Sequence, residues 1–241
     1  MSAYSTSRGA PAVAGAGNAV GDPLQDIPWF DTSSSEYESK RKTYDLGNTT
    51  TPYAIACPRN ARDVAALVRH SIDAGIPITV RSGGHDLFGR SVAQSALCVD
   101  MRAIDFVEIA PDKTSARIGG GILFGKLVQE LTLKNLTTPF AGVPSIGYFG
   151  WASLGGYGGV SGQWGLGVDQ IIGAEIVDAL GNIVQADEEM LKGIKGAGGN
   201  FGVVVALRIK LYELKTVGLN LELRESESLI LPPFSRGLLT I

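Results

Sequence analysis

Three stretches hold glycines so densely that main chain, not side chains, must form their working surface. They are Arg81-Ser82-Gly83-Gly84-His85-Asp86, the longer Pro144–Gly159 stretch that ends in Ser153-Leu154-Gly155-Gly156-Tyr157-Gly158-Gly159, and Gly196-Ala197-Gly198-Gly199-Asn200-Phe201-Gly202. Adjacent glycines let consecutive backbone N–H groups face an anion at close range, with no Cβ intruding. In the first stretch Arg81 would add positive charge. A tight turn after a strand also explains an isolated Gly-Gly pair, but His85 sits one residue past the pair, where a bound phosphate or ring system would lie. In the second, Gly155, Gly156, Gly158 and Gly159 fill four of five positions, which costs chain entropy on folding. Packing of backbone against a flat ligand would offset that cost. A disordered glycine tract is the alternative, and the interleaved Trp151, Leu154 and Tyr157 argue against it as apolar anchors. The third stretch fails the G-x-G-x-x-G template and its strand-before, helix-after setting, so a Rossmann loop is not supported.

The elements that must carry these loops can be read from periodicity. Residues 1–28, rich in Ala, Gly and Ser without a period, are expected to form a flexible tail, with order beginning near Trp29 or Tyr37. Tyr53–Cys57 reads as a strand; Pro58 breaks it, and Asn60 caps a helix through about Asp73 with Val64, Leu67, Val68 and Ile72 on its apolar face. Gly75 stops that helix. Ile76–Val80 and Leu97–Asp100 follow as strands, a β-α-β order that implies a small, mostly parallel sheet. A second unit contains a strand at Ser115–Gly119, a helix at Phe124–Leu133, a hairpin Gly173–Ala179/Ile183–Ala186, an acidic helix at Asp187–Lys192 and a strand at Phe201–Leu211. The mixture predicts an α+β fold. Val217–Arg224 alternates as though opening another sheet, so 216–241 reads as the start of a further domain.

Composition limits the partners. The 241 residues are 44% hydrophobic with a net charge of -3, ample for a core and lacking the basic surplus of a nucleic-acid binder. No run reaches the roughly 18 apolar residues of a membrane span. The N-terminus shows no basic-then-apolar export signal, so an intracellular chain is the default expectation, and the sequons at Asn48 and Asn135 carry little weight. Cys57 and Cys98 lack metal-ligand spacing and read as buried free thiols, and His70 and His85 are too few for a histidine-built metal site. No P-loop, G-x-S-x-G elbow, H-E-x-x-H or C-x-x-C occurs.

From Pro52 to about Glu213 the chain resembles the FAD-binding domain of the vanillyl-alcohol oxidase/para-cresol methylhydroxylase (PCMH) superfamily, and within it the berberine-bridge-enzyme-like, oxygen-dependent FAD-linked oxidoreductases. The likeness rests on Arg-Ser-Gly-Gly-His at 81–85, Ser-Leu-Gly-Gly-Tyr-Gly at 153–158, Gly167–Asp178 and Gly196–Val204, in the family's order. It implies a two-subdomain PCMH-type fold over 29–215, with subdomains at about 50–110 and 111–215: a small, mostly parallel sheet and a larger, largely antiparallel one with helices. It further implies FAD as cofactor, bonded covalently through His85 to the 8α carbon of the flavin. Arg81, Ser82, Gly83 and Gly84 would lie along the pyrophosphate, and Ser153, Leu154, Gly155, Gly156 and Gly158 would form a second flavin-contacting loop. Val204 would pass the adenine side. Val143 stands where some members carry a second, cysteinyl tether, so none is expected here. The resemblance implies oxidation of a small organic substrate by hydride transfer to the flavin, with O2 as acceptor. The family's catalytic base comes from a C-terminal substrate domain, so no catalytic residue is assigned. An FAD-binding fragment without turnover is the alternative.

Overall fold

The computed structural model describes residues 24–214; the expected tail up to residue 23 and the segment after 214 lie outside them. The first sheet takes up β1 (Trp29–Asp31), β2 (Ala54–Ala56), β3 (Ile78–Arg81) and β4 (Leu97–Asp100), in the spatial order β1-β2-β4-β3. Both β2 and β3 run parallel to β4, and β1 adds an antiparallel edge. A short helix, α1 (Tyr37–Lys40), follows β1, and α2 (Ala61–Ala74) links β2 to β3. Its ends match their sequence signals: Asn60 Oδ1 accepts from the N–H groups of Arg62 and Asp63 at 2.9 and 3.0 Å, and Gly75 closes it with φ 63°. Its buried stripe is Val64, Leu67, Val68 and Ser71, whereas Ile72 is 53% exposed. The expected apolar face thus errs by one position: the i, i+3, i+4, i+7 row ends on Ser71, and Ile72 lies on the rim.

The second sheet is wholly antiparallel, in the order β5 (Val107–Ile109), β6 (Ser115–Gly119), β10 (Val203–Lys210), β8 (Ile171–Val177), β9 (Ile183–Gln185). Helices α3 (Phe124–Thr132), α4 (Tyr148–Ala152), α5 (Ser161–Trp164), α6 (Gly167–Gln170) and α7 (Glu188–Ala197) punctuate it, and β7 (Leu136–Thr137) pairs with β11 (Tyr212–Glu213) in a small separate ladder. Strands β1, β5, β7 and β11 are two or three residues long, too short for a period to register in the sequence.

Strand β10 explains why two sheets make one body. Val203 and Val205 join the core formed by α2 and the first sheet, while Val204, Leu207 and Ile209 join the core under α3 and α4. A strand buried on both faces reads as a near-continuous apolar run, as Val203–Leu207 does. Cys98 is buried as expected; Cys57 is only half-buried.

Candidate functional site

The first glycine loop leaves the C-terminal end of β3. Arg81, the last strand residue, turns inward: its Nη2 donates to Asp100 Oδ2 at 2.6 Å and its Nη1 to the Lys42 carbonyl at 3.3 Å, with the residue 2% exposed. Arg102 donates to the same carboxylate from Nε at 2.8 Å and from Nη2 at 2.6 Å. Burial alone would push the Asp100 carboxyl up, but the Arg102 and Arg81 guanidiniums hold it below the usual carboxylate range. The Arg81 side chain, expected to face a ligand's charge, is therefore the footing of the loop.

Beyond that footing the main chain is left open. Among the described residues, the N–H groups of Ser82, Gly83, Gly84 and His85 have no protein acceptor. The chain turns through Gly84 at φ 68°, and the Gly84 carbonyl accepts from Tyr44 N–H at 3.0 Å. Consecutive unpaired N–H groups in a half-buried turn are the kind of donor row that an anion can accept from. Asp86, the carboxylate next to it, is paired with Arg90 Nη2 at 2.7 Å.

The loop lies directly on a second segment. A Cβ at Gly83 would collide with the Ser145 carbonyl and come within 2.6 Å of Gly147 N, so only glycine fits there. His85 Nε2 is 2.8 Å from Ser145 Oγ, and its ring stacks on Tyr44 with centroids 4.1 Å apart and an interplanar angle of 22°. Burial lowers the imidazole pKa below its ordinary 6.5, so the ring is neutral near pH 7. Nδ1 has no hydrogen-bond partner among the described residues.

Residues 144–147 are pinned by the start of α3: Gly125 N–H donates to the Pro144 carbonyl at 2.9 Å and Phe124 N–H to that of Ile146 at 3.0 Å. From Gly147 the chain enters α4, anchored by the fully buried Tyr148 and Ala152. The Phe124 ring lies 5.4 Å from that of Tyr148 and 5.0 Å from that of Trp151. This helix delivers the second glycine loop, which Trp151 clamps by donating Nε1–H to the Tyr157 carbonyl at 3.1 Å. Ser153 is buried. Leu154 and Tyr157, expected as further anchors, are 54% and 82% exposed and hold nothing down.

The glycines of this loop divide by role. Gly155, at φ 113°, has open space where a side chain would stand. Gly156 packs on Gly167, whose Cα would be 2.8 Å from a Cβ, and Gly158 packs on the Phe140 carbonyl. Both therefore serve the loop's own closure. The third loop, after the kink in α7 at Lys195 and Gly196, meets the second: a Cβ on Gly198 would be 3.4 Å from Ser153 Oγ and 3.7 Å from Leu154 Cδ2. All three loops are thus linked through 145–147 and α4. Val204 stands apart, enclosed at 4% exposure, with its side chain in the core and its carbonyl against Gly120. Almost none of it is accessible to a ligand.

Two residues of this site were not anticipated. Ser145 lies near the start of the second glycine-rich stretch, 144–159, but nothing in the sequence sets it apart from its neighbours there. Tyr44 lies in an aperiodic segment and gives no signal.

A family model described as "FAD binding domain" matches residues 52–187. The FAD-linked oxidoreductase aurO of Gibberella zeae is 40% identical over 204 residues, spanning 81% of this chain and 39% of that protein. Berberine bridge enzyme-like 17 of Arabidopsis thaliana is 32% identical over 197 residues, spanning 78% of this chain and 37% of that protein. The crystal structure of 6-hydroxy-D-nicotine oxidase from Arthrobacter nicotinovorans superposes with a TM-score of 0.77 at 31% identity, covering 81% of this chain and 44% of that one. The chain thus spans about two fifths of the length of the curated relatives it matches. The α+β, two-sheet fold expected from the sequence is the one found here and shared with that solved neighbour.

Proposed function

The chain belongs to the FAD-binding domain family of the berberine-bridge-enzyme-like oxidoreductases, and from that premise we propose that it holds the cofactor of an FAD-dependent oxidase with His85 as the covalent tether. The observation that carries this reading is the nest of unpaired N–H groups at 82–85 ending on an imidazole with a free Nδ1. The donor set fits the cofactor: a diphosphate needs closely spaced donors, which the N–H groups of Ser82, Gly83 and Gly84 provide, and Gly155 leaves room for a flat ring. The bound flavin would supply the redox chemistry, taking a hydride from a small organic substrate and passing electrons to O2.

The protein's own residues orient and shield. The nest fixes the phosphates, the packing of Gly83 on Ser145 and Gly147 fixes the loop, and the Tyr44 ring covers one face of His85. A neutral imidazole with a lone pair on Nδ1 is the nucleophilic form that bond formation to carbon requires. Turnover is a separate matter from binding, because no group in the described loops is placed as a substrate base; Asp86 is engaged by Arg90. FAD held without turnover is therefore the second reading.

The test is direct. The purified 241-residue chain is precipitated with acid and the pellet assayed for flavin by fluorescence and intact mass; soluble protein is then assayed for H2O2 release with a panel of alcohols, amines and oligosaccharides. Flavin retained in the pellet, and lost from the pellet in His85→Ala while noncovalent FAD remains, is the expected result. Covalent flavin surviving in His85→Ala would overturn the tether, and retained flavin without H2O2 selects the second reading.

A further inference from the structure

We infer that Ser145 is a positioning residue for covalent attachment of the flavin, holding the Nε2–H of His85 so that Nδ1 is the atom that bonds to the cofactor. The inference rests on the reading of His85 as the tether and deepens it. Its basis is the 2.8 Å contact between Ser145 Oγ and His85 Nε2, made across 60 residues of sequence between two independently anchored segments. Ser145 is held from the α3 side by the bonds to the Pro144 and Ile146 carbonyls, and His85 by the turn at Gly84 and the Tyr44 ring. No other hydrogen-bond partner of Ser145 Oγ occurs among the described residues.

A neutral imidazole carries its single N–H on one nitrogen and a lone pair on the other, and the partner of one nitrogen selects the role of the other. With Nε2–H donating to Ser145 Oγ, the lone pair stands on Nδ1, the unpartnered atom. In the attachment, Nδ1 forms a bond to the 8α carbon; one C–H bond of that carbon and the imidazole N–H bond break. The two protons and the electron pair reside on the flavin ring system, reduced by two electrons, until O2 takes them as H2O2. As Nδ1 attacks, positive charge builds on the imidazole and the Nε2–H becomes a stronger donor. The Ser145 hydroxyl oxygen accepts that bond while it passes from neutral to charge-assisted, which roughly doubles its strength. Stabilisation that grows toward the transition state accelerates the step rather than merely tightening the resting complex.

The experiment uses the full chain purified free of flavin, supplied with FAD, and followed by covalent fluorescence in denaturing gels, with noncovalent binding measured separately by fluorescence quenching. Ser145→Ala is expected to bind FAD with little change and to attach it about tenfold more slowly, the worth of about one such hydrogen bond. Ser145→Thr, which keeps the hydroxyl, restores the rate. NMR of the flavin peptide from the wild type is expected to show an Nδ1 linkage, and that from Ser145→Ala a mixture of Nδ1 and Nε2. A wild-type rate in Ser145→Ala, or an Nε2 linkage in the wild type, overturns the role of Ser145 while leaving the tether intact. If Ser145→Ala does not fold, the Ser145→Thr rate and the wild-type linkage decide. A wild-type chain that binds FAD and never attaches it overturns the tether reading itself, and this inference with it.

Discussion

Asp100→Asn tests whether the inward-turned Arg81 is the footing of the first glycine loop. In the wild type the Arg81 and Asp100 side chains are 1% and 3% exposed and 2.6 Å apart, while Arg102 reaches the same carboxylate from a side chain 45% exposed. Neutralising Asp100 leaves two guanidiniums around one amide, one of them with no access to water. Removing one partner of a buried pair costs about 3–5 kcal/mol; asparagine keeps the shape and one acceptor oxygen, so the lower end, about 3 kcal/mol, applies. For a domain of this size each 1 kcal/mol moves Tm by about 2–4 °C, giving a drop of about 6–12 °C. Arg102→Ala removes a half-exposed partner and should cost only about 1 kcal/mol. The pH dependence has a definite sign. The folded-state pKa of Asp100 is depressed below 3.8, so its contribution is present above that value and lost as pH falls through the folded pKa. Melts followed by circular dichroism at pH 7 and between about pH 2 and 5 read both effects. A Tm change in Asp100→Asn no larger than that of Arg102→Ala, or an unchanged acid limb, would refute the reasoning.

Two further outcomes follow from the same geometry. Gly83→Ala should push the first loop off Ser145 and Gly147, because the new Cβ meets main chain that cannot rotate away; a cost of about 1–3 kcal/mol and a fall in retained flavin are expected in melts and acid precipitation. Burial pushes the Cys98 thiol up to about 11 and also raises that of half-buried Cys57, so at pH 7 a disulfide reagent should label Cys57 slowly and Cys98 only on unfolding, as counted by mass.

The sequence disclosed what is periodic or punctuated. Asn60 and Gly75 bound α2 because their side chain and backbone freedom act locally, and the β10 run reads as a strand because both of its faces are buried. What stayed hidden depends on partners distant in sequence. Strands β1 and β5 exist only through pairing with β2 and β6. Nothing local distinguishes an arginine that faces a phosphate from one that reaches Asp100, nineteen residues on. The same holds for the glycines: a dense run signals main chain in use, but only the fold tells Gly155, with open space, from Gly156, pressed on Gly167. Ser145 matters because a chain 60 residues upstream brings His85 to it.

The inward turn of Arg81 also bears on how the nest would attract an anion. Arg81 and Arg102 share one carboxylate, so the cluster beneath the loop carries one unbalanced positive charge, while Asp86 at the loop's far side is neutralised by Arg90. A guanidinium reaching directly to a phosphate would add affinity at the expense of side-chain order on binding. Placed under the loop instead, the charge would act through a short stretch of low-dielectric protein, where it is screened less than in water, and the contact itself would be made by N–H groups already fixed by β3, Tyr44 and Ser145. Binding then orders little that is not ordered beforehand. On this arrangement the positive field and the hydrogen-bond donors would be separate parts, so Asp100→Asn is expected to lower stability without displacing the donors, and Gly83→Ala to displace the donors themselves.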